Sequence, residues 1–130
     1  IMNIIGNGVD IIKNSRINSS LKIEGFLNRI FTKKEIDQGK KLKNKINFYA
    51  KRFAAKEAFV KAIGTGFRSD INFIDIEIKN YKNGKPYISL SKKLNNFLQK
   101  KFKIQKYKVF LSLSDEKDYS IAFVVIDKKI

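Results

Sequence analysis

Cysteine and histidine are both missing from this 130-residue chain. Without cysteine there is no disulfide and no thiolate zinc site, and a reducing cytoplasm is the expected compartment. Without histidine, Ser-His-Asp and Cys-His nucleophile systems and imidazole metal sites are excluded. Acid–base work therefore falls to Asp, Glu, Lys, Tyr or water, and any metal would be a hard cation held by oxygen. Long apolar runs are also missing, so no membrane span is expected. Residues 1–9 read as a strand rather than a basic segment followed by an apolar one, so no secretory leader is expected either. Acidic residues are few, 12 against 28 basic ones, and the net charge is +16. That balance suits an anionic partner: a nucleic acid, an acidic protein or a phosphorylated small molecule. The abundance of Lys, Asn and Ile equally suits drift in an AT-biased genome. The arginines are more informative, because Arg16, Arg29, Arg52 and Arg68 stand where lysine is the common cation.

What is present patterns as one domain spanning 1–130, with enough apolar residues for a core. Residues 2–12 read as a strand broken by Gly6 and Gly8, and residues 15–30 as a helix weakened by Gly25. Thr32 and Glu35 fit a capping box that opens a short helix to about Lys43. Residues 48–63 form the clearest helix, with Ala55, Ala58, Phe59 and Ala62 on one face and Gly64 at its end. Residues 73–80 alternate, with Ile74, Ile76 and Ile78 on one side. Asn83-Gly84 then marks a hairpin turn and Pro86 starts the return strand. Ser91 caps a helix striped by Leu94, Phe97, Leu98 and Phe102, and residues 107–114 and 119–126 are two further strands. The order β-α-α-α-β-β-α-β-β predicts an α+β fold, a mainly antiparallel sheet packed against a long central helix.

Two carboxylates stand out. Asp10 ends the first strand, either as a turn cap or as a group projecting into a cleft where Gly6 and Gly8 let a ligand approach. Glu57 sits inside the Ala- and Phe-rich helix. It is either half of a surface pair with Lys61, four residues on, or a partly buried group bordering the apolar face. Together they suit an octahedral Mg²⁺ completed by phosphates and waters. Lys56 and Lys61 would then meet phosphate oxygens, and Gly64-Thr65-Gly66 would offer backbone N–H groups. The lysines at 40, 41, 43, 45, 100, 101, 103, 106 and 108 could instead track a nucleic-acid backbone beside Phe102 and Tyr107. No helix-turn-helix, RNP or zinc signature accompanies them, so a non-catalytic basic module for nucleic acid or an acidic protein is the alternative reading.

GNGVDII at 6–12 resembles the opening motif of the holo-[acyl-carrier-protein] synthases, a family of small phosphopantetheinyl transferases. KRFAAKEAFVKAIGTGF at 51–67 is similar to that family's most specific motif, and NGKPYI at 83–88 and VFLSLSDEKDYSIAFVVI at 109–126 match in order and spacing. The resemblance implies a 4'-phosphopantetheinyl transferase-like fold. It also implies a reaction, Mg²⁺-dependent transfer of 4'-phosphopantetheine from coenzyme A to a serine of apo-acyl carrier protein, releasing adenosine 3',5'-bisphosphate. By the same resemblance Asp10 and Glu57 hold Mg²⁺, Glu57 helps deprotonate the serine, and Lys61 stabilises charge on the transferring group. Arg52 and the Gly64-Thr65-Gly66 loop would hold phosphates and the nucleotide end, and Lys85-Pro86 would line the adenine. Arg16, with Lys22 and Arg29 behind it, would dock the acidic carrier protein. The family resemblance further implies a homotrimer with active sites between subunits; a cytoplasmic setting, with neither nucleic acid nor membrane as partner, is the expectation from composition and motifs. Three positions depart from the usual motifs: Val9 before Asp10, Phe67 directly after the glycines, and Asp115 where many members carry histidine.

Overall fold

Eighteen residues without glycine or proline, Lys45–Ala62, form helix α4 of the computed structural model, which describes residues 3–68 and 70–129. Asn44 caps it by accepting from the Asn47 amide, and Gly64 ends it at a φ of +77°, a left-handed turn that L side chains disfavour. The expected α+β architecture is present. Strand β1 (Ile4–Lys13) pairs antiparallel with β5 (Tyr119–Lys129), which pairs antiparallel with β4 (Lys106–Asp115), in the order β1-β5-β4. A separate antiparallel hairpin joins β2 (Ile76–Asn80) to β3 (Pro86–Leu90). Helix α5 (Lys92–Phe102) follows Ser91, whose hydroxyl accepts from the Leu94 amide.

Several boundaries differ from expectation, each for a local reason. The first strand runs unbroken through Gly6 and Gly8, with a register shift between Ile4 and Gly6. Met2, read as its first residue, lies outside the described residues. The helix expected over 15–30 is two helices, α1 (Asn14–Leu21) and α2 (Phe26–Ile30), because Gly25 adopts a φ of +85° between them. The Thr32–Glu35 capping box is formed, but its helix, α3, spans only Lys33–Lys40. Residues 73–75 form a 3-10 turn rather than strand, pinned by Asp75 accepting from the Asn72 amide and the Ser91 hydroxyl. Ile74 thereby leaves the row of Ile76 and Ile78 and is exposed, whereas the other two are buried.

Helix α4 lies on one face of the three-stranded sheet. Ala54, Ala55, Ala58, Phe59 and Ala62 are buried there against Ile12, Leu111, Ala122, Val124 and Ile126. The opposite sheet face is also apolar. Val9 stands opposite Phe123 and Ile11 opposite Ile121, with Phe110 nearby on β4, and all five are exposed.

The contact between β1 and α4 is unusually close. A Cβ on Gly6 would lie 2.0 Å from the Ala62 carbonyl oxygen, and one on Gly8 would lie 2.0 Å from that of Ala58. No L residue other than glycine fits at either point unless the strand backs away from the helix. Gly25 has nothing within 4 Å of such a Cβ, only an unfavourable φ. Gly8→Ala is therefore expected to cost about 3 kcal/mol or more in urea unfolding. Gly25→Ala should cost about 1 kcal/mol. Equal midpoints for the two variants would refute this packing.

Candidate active site

The glycine contact sets what stands beside it. Asp10 shares strand parity with Gly8 and Ile12, so its side chain is on the α4 side of β1, at the edge of the sheet. Its side chain is 15% exposed. Lys61, half-exposed on α4, reaches across to it. Lys61 Nζ donates to Asp10 Oδ1 at 3.0 Å and to the Val9 carbonyl at 3.0 Å. Glu57 lies one turn earlier on the same flank of α4 and is half-buried. Burial first, and then the nearby Asp10 carboxylate, push the Glu57 carboxyl above its ordinary value, with Lys61 opposing them. Two acids and one ammonium thus lie together along the seam between β1 and α4. Among the described residues no third Asp or Glu joins them as a cluster. The role expected for Gly6 and Gly8 is corrected: the partner they admit is the helix backbone, not a ligand.

Lys56 is a second correction. It stands about 100° round the helix from Glu57. Its ammonium is fully buried, donating to Glu35 Oε1 at 2.7 Å and the Ile30 carbonyl at 2.7 Å. Burial pulls it below its ordinary value, opposed mainly by Glu35. Glu35 also accepts from the Thr32 amide at 2.9 Å and, through Oε2, from the Ile78 amide at 3.0 Å. One carboxylate therefore ties α3, β2 and α4 together, and no phosphate reaches Lys56 without dismantling that junction.

The Gly64-Thr65-Gly66 loop is a third correction. Gly64 N donates to the Lys61 carbonyl, and Thr65 N and Gly66 N both donate to the Val60 carbonyl. All three amides close the helix C-terminus, where the dipole is negative, so they form no anion cradle.

Arg52 is 4% exposed and lies over the Phe48 ring. It donates to Asn80 at 2.8 Å and to Gln38 at 3.4 Å, while its buried Nε has no partner. Burial lowers it to about 10, which leaves it cationic at neutral pH. Asn80 in turn donates to the Gly84 carbonyl, so Arg52 is linked through one side chain to the hairpin turn carrying Lys85 and Pro86. Arg16, Lys22 and Arg29 are exposed on or beside α1 and α2. Asn14 fixes α1 to the β4–β5 turn by donating to the Glu116 and Lys117 carbonyls and accepting from Ser120. Asp115 pairs with Lys51 and accepts from Asn47, both on α4.

Sequence reading missed Asn80 and Gln38, for which nothing but three-dimensional proximity to Arg52 is a signal. Glu35 was visible as a cap, but its role as the partner of Lys56 was not.

Comparison with known proteins shows the family of the chain. The family model of the 4'-phosphopantetheinyl transferase superfamily matches residues 6–124, and the chain belongs to that superfamily. Its relatives there are holo-[acyl-carrier-protein] synthases. The one from Pelagibacter ubique is 53% identical over 128 residues, covering 98% of this chain and all of the relative. A crystal structure of the Bacillus anthracis synthase, in complex with CoA (3',5'-ADP), superposes with a TM-score of 0.82 at 37% identity, covering 99% of this chain and 100% of that one. The Helicobacter pylori synthase in complex with coenzyme A has a TM-score of 0.78 at 32% identity, covering 93% and 99%. The recognised family and the α+β fold class therefore hold, and the chain is a phosphopantetheinyl transferase.

Two outcomes follow from the neighbouring positions 56 and 57. Lys56→Met should lose about 3–5 kcal/mol, because it strands the buried Glu35 charge. Lys56→Met combined with Glu35→Gln should recover part of that loss in the same urea titration. Glu57→Gln should do the opposite at neutral pH without divalent cations and raise the melting temperature. The raised carboxyl contributes its stability below about pH 4.5 and loses it as pH rises through the folded-state value. The gain should therefore shrink towards zero as pH falls through 4.5. A Tm difference independent of pH would contradict it.

Proposed function

We propose that this chain transfers 4'-phosphopantetheine from coenzyme A to a serine of apo-acyl carrier protein, with Mg²⁺, releasing adenosine 3',5'-bisphosphate. The observation that carries the reading is the Asp10–Glu57 pair with Lys61 between β1 and α4, in a chain whose relatives are holo-[acyl-carrier-protein] synthases. The donor set fits the ion: two oxygen ligands on separate elements, already attracting a cation in Lys61, with other positions left for phosphate and water. Mg²⁺ bound there supplies charge neutralisation for the pyrophosphate.

The chain's own groups do the rest. Asp10 and Glu57 hold the cation and orient it. Glu57 takes the proton of the carrier serine directly or through a water. The serine oxygen attacks the phosphorus that bears the pantetheine, the phosphoanhydride bond breaks, and the bisphosphate carries away the electron pair. Lys61 donates to the charge that develops on the transferring phosphoryl. Arg52, steered by Asn80, faces the nucleotide end beside Lys85 and Pro86. The Gly64-Thr65-Gly66 loop contributes space rather than donors, since nothing lies within 4 Å of a Cβ at either glycine.

The carrier protein docks on Arg16, with Lys22 and Arg29 adding long-range attraction, so the rate should fall with salt. The apolar outer face of the sheet is the assembly surface of a homotrimer with active sites between subunits. Exposed Val9, Ile11 and Phe123 are hard to explain on an isolated subunit. A cytoplasmic, fatty-acid-synthesis setting follows from that substrate.

Intact-mass spectrometry of apo-acyl carrier protein, incubated with this protein and coenzyme A, tests the reading. One phosphopantetheine should be gained with Mg²⁺ and none with chelator, and Glu57→Gln should slow the gain by about 10²-fold or more. No mass gain from folded protein across several carrier proteins would favour the non-catalytic basic module. An unchanged rate for folded Glu57→Gln would remove that residue from the mechanism.

A further inference from the structure

We infer that Lys61 is an internal competitor for the divalent-cation site, displaced from Asp10 when the cation enters and thereby released to the phosphate that arrives with it. The inference rests on the reading of Asp10 and Glu57 as the cation site and deepens it.

Three observations carry it. First, the Lys61 ammonium takes up an Asp10 oxygen that a cation held by Asp10 would need. Its two contacts, Asp10 Oδ1 and the Val9 carbonyl, are both oxygens of the type a hard cation takes. Second, among the described residues Asp10 forms no ion pair besides this one and Glu57 forms none, so Lys61 is the charge compensation of Asp10. Third, the side chain is 52% exposed and extends from the last turn of α4, so it can rotate away without unpacking anything. Lys56 provides the contrast: fully buried and held by two 2.7 Å bonds, it cannot exchange.

Coupling between ligands follows. A cation binding alone must displace Lys61 and leaves the ammonium with no partner but water. A cation binding together with a pyrophosphate gives the ammonium a new anion. Metal and phosphorylated substrate should therefore bind better together than apart, by an amount that depends on Lys61 and not only on direct metal–phosphate bonds.

Isothermal titration of Mg²⁺ into the full chain, at low salt, without and with coenzyme A, tests this. Lys61→Met should bind Mg²⁺ roughly three- to ten-fold more tightly than the unaltered protein in the absence of coenzyme A. It should also show a smaller enhancement when coenzyme A is added. Lys61→Arg, which keeps the competing charge, should return towards the original affinity. In chelator the melting temperature of Lys61→Met should fall below that of the unaltered protein, and the gap should close in excess Mg²⁺. Equal or weaker Mg²⁺ binding by folded Lys61→Met would overturn the inference while leaving the cation site intact. If the Asp10→Asn variant binds Mg²⁺ as well as the unaltered chain does, the cation site itself fails and this inference fails with it.

Discussion

The fold turns on one contact, the approach of the β1 backbone to the α4 backbone where Gly6 and Gly8 meet Ala62 and Ala58. A Cβ at either glycine would sit 2.0 Å from a helix carbonyl. Small residues on both sides let a strand and a helix touch main chain to main chain, closer than the ~10 Å spacing of ordinary packed layers. Asp10 is two residues beyond Gly8, and Glu57 and Lys61 flank Ala58. The same contact that buries the alanine face therefore brings the acids and the ammonium together on one seam. Each is held by a regular element whose own hydrogen bonds are satisfied, which restrains them better than a loop would.

Neighbouring charged residues on α4 meet opposite fates because of the angle between them. Lys56 turns inward and spends its charge on Glu35, fixing α3 and β2 to the helix. Glu57, one step round, lies at the border of the buried face and carries an unfavourable desolvation that Lys61 only partly relieves. Arg52, one turn towards the N-terminus, is buried as well, yet keeps a partnerless Nε and a link to the hairpin turn through Asn80. Among the described residues the interior thus holds two cations in different conditions, one fully satisfied and one incompletely so. The incompletely satisfied one is linked through Asn80 to the hairpin turn that carries Lys85 and Pro86.

Much of this was legible in the residues. Helical periodicity located the α4 face, the Thr32–Glu35 spacing located a cap, and Asn83-Gly84 located the hairpin. Asp10, Glu57 and Lys61 were each identified and are brought together. What failed was long-range or geometric. Gly25 interrupts a helix because of its φ, which periodicity does not report. Asp75 pulls residues 73–75 out of a strand through a bond to Ser91, sixteen residues away. Lys56 looked equivalent to Lys61 because both flank Glu57 in the chain, and only the placement of Glu35 separates them. The amides of Gly64-Thr65-Gly66 looked free because their acceptors, Val60 and Lys61, are backbone carbonyls that no side-chain motif records.

The central claim is that β1 and α4 present Asp10 and Glu57 to a single divalent cation. A double-mutant cycle on Mg²⁺ affinity, using Asp10→Asn, Glu57→Gln and the pair, tests it most directly. The account predicts strong coupling, with either single change abolishing most of the binding and the double variant little worse than the singles. Losses that simply add, or one substitution without effect, would show that the two carboxylates do not share an ion.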